Sequence, residues 1–223
     1  MATRRKYGDR CGVARALDLV GERWALLVVR ELLLGPKRFT DLREGLPHVS
    51  PDVLSQRLRE LERDGIVARR KLAPPAGSRV YELTDRGREL EPVVLALGRW
   101  GSTAPFPPGE PRLGVDSAIL ALRTLFDSSA ADRLEATFEL RLGDQRFRAR
   151  VADGRLDVAR GSADHPDATI ETDTATLSAL LWHGRRLPGA LRSGDVEIEG
   201  SRSAVERFLR LFPLPPAAQA SQV

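Results

Sequence analysis

Amide and guanidinium side chains recur on one side of the segment Ser50 to Asp64, SPDVLSQRLRELERD. At about 100° per residue, Asp52, Gln56, Arg59 and Arg63 share a face, and Leu54, Leu58 and Leu61 share the opposite one. Groups of this kind at this spacing can read base edges and grip phosphates in a major groove. A surface helix that touches only water shows the same pattern, because exposed charged faces are the rule. Few other residues offer chemistry. His48, His165 and His183 lie far apart without metal-ligand spacing, and no phosphate loop, nucleophile elbow or dinucleotide fingerprint occurs. Glu197 and Glu199 are paired carboxylates on the outer side of a predicted strand, where solvation explains them. The expectation is a chain that is not an enzyme and needs no cofactor or metal.

The elements that must position the glutamine and arginines are legible nearby. Ser50 suits an N-cap, Pro51 a first helical position and Gly65 a C-terminal cap. Phe39, Thr40, Asp41 and Leu42 open a short preceding helix, and Gly45 with Pro47 forces a tight connection into Ser50. Beyond Gly65, Ile66 to Leu72 and Arg79 to Leu83 predict two strands joined by a Pro/Gly turn, Ala73 to Ser78. That hairpin carries Arg69, Arg70, Lys71 and Arg79, a basic wing suited to backbone phosphates or a minor groove. Helices near Val13 to Val20 and from Asp85 to Trp100, the latter kinked at Pro92, complete the first half.

Charge is unevenly spread over the 223 residues, whose formal net charge is +4. Residues 1–101 hold 20 Lys and Arg against 14 Asp and Glu, and residues 102–223 hold 15 against 17. A basic first half beside a near-neutral second fits one nucleic-acid module and one of another kind. The N-terminus lacks the apolar run of a signal peptide, and the longest apolar run, Trp24 to Val29, is too short to span a bilayer. With one cysteine and no disulfide framework, a cytoplasmic protein without a membrane partner is expected. The arginines before Gly8 form either a phosphate-touching arm or a frayed tail.

Many short motifs in register resemble the HxlR-type winged helix-turn-helix family: Arg10-Cys11-Gly12-Val13, Ala16-Leu17-Asp18, Gly21-Glu22-Arg23-Trp24, Leu26 to Leu32, Gly35-Pro36, Arg38-Phe39, Ser50-Pro51, Leu54-Ser55-Gln56-Arg57-Leu58, Gly65, Tyr81, Leu83-Thr84 and Gly87. The likeness runs from about Cys11 to Gly101. It implies a MarR-like winged-helix domain in a homodimeric transcription regulator that binds a double-stranded DNA operator of two half-sites. It also implies a dimer interface built by the N-terminal helix and the helix ending near Trp100; packing on the protein's own core is the alternative. Candidate DNA contacts are then Arg38, Thr40, Ser50, Ser55, Gln56, Arg57 and Arg59, with Arg69, Lys71 and Arg79 in the wing. Asp52 departs from the family, where a basic residue is common; an acid there repels phosphate or accepts from a cytosine amino group. Cys11 matches a position where several family members sense oxidants or electrophiles, with Arg10 and Arg15 nearby to favour its thiolate. An inert thiol is the alternative.

The domains expected are 1–101 for DNA binding and dimerisation, a Pro-rich linker over 102–112, a second domain over 113–215 and a tail over 216–223. In the second domain a helix near Val115 to Asp127 precedes alternation at Leu134 to Leu142, Phe147 to Val151, Leu156 to Val158 and Ala168 to Ile170. Asp173 caps a helix over Thr174 to His183, a strand follows at Val196 to Ile198, and a last helix covers Ser201 to Phe212. These predict an α+β domain, an antiparallel sheet with helices over its apolar side. Asp167 to Ile170, Leu177, Leu180, Gly184 and Leu191 to Gly200 resemble the sterol-carrier-protein-2-like fold. That resemblance implies a tunnel for a hydrophobic small molecule, with Phe126, Phe138, Phe147, Leu180, Trp182 and Leu191 as lining residues. A filled core is the alternative. The function expected is a regulator, a repressor, that responds to such a ligand; the rival readings are a redox regulator using Cys11 and a lipid carrier with a basic docking module.

Overall fold

The computed structural model describes residues 6–73, 77–104, 113–131 and 134–216. Two compact units divide the chain between Val94 and Leu95.

The first unit contains α1 (Gly12–Val20), α2 (Ala25–Leu32), α3 (Phe39–Gly45), α4 (Pro51–Arg63), β1 (Val67–Lys71), β2 (Arg79–Leu83), α5 (Asp85–Arg88) and the start of α6 (Glu91–Gly101). The division between units falls inside α6 rather than at residue 101. The leucine stripe of α4 is wholly buried and meets Val28 and Val29 of α2 and Leu42 of α3 in one core. Helix α2 has no counterpart in the sequence reading. Its buried positions 25, 28, 29 and 32 follow helical spacing, but Leu26 and Leu27 fill the other side, so the run looks uniformly apolar. Trp24, left-handed at φ 77°, turns the chain from α1 into α2.

Strands β1 and β2 pair antiparallel, with Lys71 opposite Arg79 and Arg69 opposite Tyr81. Lys37 extends the hairpin, exchanging backbone hydrogen bonds with Tyr81 at 2.9 and 2.8 Å. The expected single helix from Asp85 to Trp100 is corrected to two. Proline has no N–H and its ring crowds the carbonyl four residues back, here Arg88, so α5 stops there and α6 restarts with Pro92 in its first turn.

The second unit holds the rest of α6, then α7 (Val115–Leu125), β3 (Ala136–Leu142), β4 (Gln145–Ala152), β5 (Arg155–Arg160), β6 (Ala168–Thr172), α8 (Thr174–Trp182), α9 (Leu187–Arg192), β7 (Val196–Gly200), α10 (Arg202–Phe208) and a 3₁₀ turn, Leu209–Leu211. The strand order is β5-β4-β3-β6-β7. The sheet is mixed rather than antiparallel, because β6 runs parallel to β3. Residues 161–167 carry the chain back across the charged face. Gly161 N–H reaches Arg146 O at 2.9 Å, Ala163 N–H the Glu139 carboxylate at 2.9 Å, and Asp167 N–H Thr137 O at 2.7 Å. The strand that follows therefore enters β3's free edge in β3's own direction. Glu139 is buried as a result, on a face whose alternation reads as solvated.

Asp173 and Ser201 cap α8 and α10, each accepting a backbone N–H three residues on. Helix α9 was not anticipated, and the last helix gives way to 3₁₀ geometry after Phe208. The turn positions 74–76, the arm residues Arg4 and Arg5, linker positions 105–112 and the tail beyond Pro216 lie outside the described residues.

Candidate nucleic-acid interface

Helix α4 begins where Ser50 Oγ accepts the Val53 N–H, at 3.4 Å. Its buried leucines turn Asp52, Gln56, Arg59 and Arg63 outward, and all four are exposed. Ser55 sits at the edge of that face, half-buried, while Ser50 is exposed at the helix start. Arg38 and Thr40 are exposed at the start of α3, where Asp41 accepts the Arg38 backbone N–H at 2.9 Å and faces the Thr40 hydroxyl at 3.2 Å.

Arg57 does not belong to this face. It is 7% exposed and bonds to Glu60 one turn on, with Glu22 of the α1–α2 turn 3.6 Å away. Its position lies about 100° around the helix from Gln56, on the flank that meets the protein. The expectation that Arg57 contacts DNA is therefore corrected: its charge is spent inside the fold.

In the wing, ion pairs separate the basic residues into two groups. Arg69 lies over the Tyr81 ring, 5.3 Å from its centroid, and 3.4 Å from Glu62. Arg70 forks onto the Glu82 carboxylate at 2.9 and 3.0 Å, which holds its guanidinium above the ordinary arginine pKa. Lys71 and Arg79 face each other across the ladder, both exposed, and neither makes an ion pair among the described residues. Like charges directly opposite destabilise a hairpin, so this pair gains from a polyanion laid along it. The wing is anchored from below by Glu31, 2% exposed, which accepts from Lys37 Nζ at 2.5 Å and from Arg30 at 2.7 Å. Gly45 ends α3 against that carboxylate; a Cβ there would stand 2.1 Å from Glu31 Oε2.

The other candidate residues fall elsewhere. Cys11 is exposed at the start of α1, its backbone N–H on Asp9 Oδ1 at 2.9 Å. Phe138 and Phe147 are 0% exposed. The Phe138 ring is 4.5 Å from Phe208, which in turn packs edge-on at 5.0 Å against Phe212. Phe126 tilts against Phe212 at 6.2 Å, and Trp182 donates its indole N–H to Phe212 O at 3.0 Å. Leu180 and Leu191 are half-buried. An open depression of about 470 Å³ is lined by Ser128, Ser129, Ala131, Leu134, Glu135, Asp153 and Gly154, none of them among the six lining residues expected. Among the described residues no cluster of His, Cys, Asp and Glu could hold a metal, and no helix is long and apolar enough to cross a membrane.

Exposed apolar side chains collect on α1 and α6. Val13 and Leu17 stand one turn apart on α1, and Val93, Leu97 and Trp100 form a stripe on α6.

Comparison with known proteins finds two families along the chain, the first of which runs past the structural division inside α6. The HxlR-like helix-turn-helix family model matches residues 19–105, and the alkyl sulfatase C-terminal family model matches residues 118–218. The uncharacterized HTH-type transcriptional regulator YvaP of Bacillus subtilis is 39% identical over 40% of this chain and 82% of its own length. The uncharacterized HTH-type regulator sll1512 of Synechocystis is 42% identical over 43% of this chain and 70% of its own. Among solved structures, the redox regulator HypR in its oxidized form is 36% identical, with TM-score 0.41, over 44% of this chain and 100% of its own.

Proposed function

Since this chain belongs to the HxlR-like helix-turn-helix transcription regulators, we propose that it binds an operator of two half-sites as a homodimer, in the cytoplasm, and acts as a repressor. The observation that carries this reading is the outward face of α4, Gln56, Arg59 and Arg63, beside a wing whose Lys71 and Arg79 are exposed and opposed. Helix α4 enters a major groove, and the wing cations lie on the flanking backbone. The exposed stripes of α1 and α6 meet their copies in the second protomer, so that two α4 helices reach successive grooves. Asp52, at the start of α4, accepts from a cytosine amino group or else limits how closely that end approaches phosphate.

The second unit, in this reading, is a receiver with the sterol-carrier-protein-2-like plan, and no catalysis is assigned to it. Helices α7, α9 and α10 packed against its sheet support that plan, from which the parallel pairing of β6 with β3 departs. The half-buried Phe126, Leu180, Trp182 and Leu191 are where an apolar effector would part the helices from the packed phenylalanines. Such an effector switches the protein only if it binds the DNA-competent and incompetent arrangements with different affinity. The test is fluorescence anisotropy of the full chain on duplexes selected from a random pool, against random duplex at the same salt. Selective binding well above the random level supports the reading, and equal binding refutes it. Native mass spectrometry of protein from its own host then tests the receiver, which predicts a dimer with a releasable small mass.

A second reading rests on the exposure of Cys11 at the head of α1. Oxidation there would alter the dimer rather than the second unit. DNA binding that stays oxidant-sensitive in Cys11→Ser removes this alternative.

A further inference from the structure

Four side chains connect the α1–α2 turn to the outward face of α4. Glu22 lies 3.6 Å from the Arg57 guanidinium, and Arg57 hydrogen-bonds one oxygen of Glu60. The other oxygen of Glu60 accepts from Gln56 Nε2 at 3.1 Å. Arg57 is buried and Glu60 half-buried, so this carboxylate is held by a group that cannot swing away. Gln56 is exposed at the end of the relay, in the middle of the reading face.

A carboxylate only accepts, so it fixes which end of the Gln56 amide faces it. One amide N–H is committed to Glu60. What remains for a base is one N–H donor and the Oε1 acceptor. Adenine presents the complement in the major groove, an N7 acceptor and an N6 amino donor. Guanine presents two acceptors, N7 and O6, and would need the donor that Glu60 holds.

We propose that Glu60, fixed by Arg57 and Glu22, is a positioning residue that makes Gln56 read adenine and reject guanine in each half-site. The inference rests on the DNA-reading role of α4 proposed above. It also accounts for an arginine buried on the flank of a helix whose other arginines face outward.

The experiment selects duplexes from a random pool with the full-length wild-type chain. It then measures relative affinity for each base at every selected position, in wild type, Gln56→Ala, Glu60→Ala and Glu60→Gln. Gln56→Ala identifies the position that Gln56 reads. At that position wild type should prefer adenine over guanine by roughly 5- to 150-fold, the discrimination of one bidentate pair. Glu60→Ala should bring the ratio close to one while the other positions keep theirs. Glu60→Gln leaves its single oxygen to Arg57 and turns an amide N–H toward Gln56, so it should also lose the adenine preference. The double variant Gln56→Ala/Glu60→Ala should lose no more than Gln56→Ala alone. A destabilised protein loses affinity for all sequences alike, so the ratio is insensitive to folding defects. The proposal is overturned if Glu60→Ala keeps the wild-type ratio, or if the position lost in Gln56→Ala is not an adenine. Failure of wild type to enrich any sequence removes the reading of α4 itself, and this inference with it.

Discussion

Removing the exposed apolar stripe of α6 should split the proposed dimer without unfolding the protomer. Val93, Leu97 and Trp100 are 51%, 47% and 74% exposed in the single chain. Full burial of a large apolar side chain stabilises by about 1.5–3 kcal/mol, so covering half of Leu97 contributes about 1 kcal/mol and three-quarters of Trp100 about 2 kcal/mol. In a two-fold interface every substitution acts twice. Leu97→Ser should therefore cost about 2 kcal/mol of dimer, roughly 30-fold in Kd, and Trp100→Ser about 4 kcal/mol, roughly a thousandfold. Sedimentation velocity across a concentration series reads the effect directly. Ala96→Ser, an exposed residue beside the stripe, serves as the control and should leave the dimer intact. Thermal melts of the monomeric variants should stay near wild type, because these side chains are already in water in the protomer. A double variant that stays dimeric at the lowest concentrations, or a wild type that is monomeric throughout, refutes this interface. Operator affinity should fall along with dimerisation, since each half-site then binds alone.

Three further perturbations test other parts of the argument. Gly45→Ala places a methyl where the Glu31 carboxylate sits, and should lower stability of the first unit by about 1–3 kcal/mol in chemical denaturation; an unchanged midpoint would show that the seat is loose. Lys71→Ala with Arg79→Ala should flatten the plot of log K against log salt by about 0.9 per residue, leaving base preference alone, whereas an unchanged slope removes both from the backbone contacts. Glu139 is held below the ordinary carboxylate pKa chiefly by the Arg141 hydrogen bond, and also by the Ala163 N–H. A lowered folded pKa gives stability that is complete above the unfolded value of about 4.3 and is lost as pH falls through the folded one. Glu139→Gln should thus be less stable by about 1–3 kcal/mol at pH 7 and converge on wild type in acid, as followed by denaturant melts at several pH values. A gap that persists undiminished at low pH would show that the charge is irrelevant.

Local signals make much of the first unit legible in the sequence. Ser50, Pro51 and Gly65 bracket α4 through caps and a proline that act within one turn, and the leucine period sets which face is buried. The same period gave no warning about Arg57, because its partner Glu22 lies in a different turn of the chain. A partial warning existed: Glu60, three residues on, is a helical neighbour that competes with DNA for the guanidinium. The strands of the second unit were also legible, each from its own alternation, yet the pairing of β6 with β3 was not. Alternation fixes faces and leaves the choice of neighbour to the connection. Here the clue was the length of residues 161–167, too long for a tight hairpin and long enough to recross the sheet.

The hardest feature to read was whether the second unit encloses a space. Periodicity sends Phe138 and Phe147 to the apolar side, and both are there. Whether an inward side chain lines a void depends on what arrives from the facing helices, and that is a sum of volumes over segments far apart in sequence. Phe208, the last residue of α10, and Phe212, just past the 3₁₀ turn, reach Phe138 and Phe126 and fill the interval. The proposed apolar effector would therefore have to compete with this aromatic stack. Its affinity would rise in variants such as Phe208→Ala, at the expense of fold stability, and a ligand screen that includes that variant separates a closed pocket from an absent one.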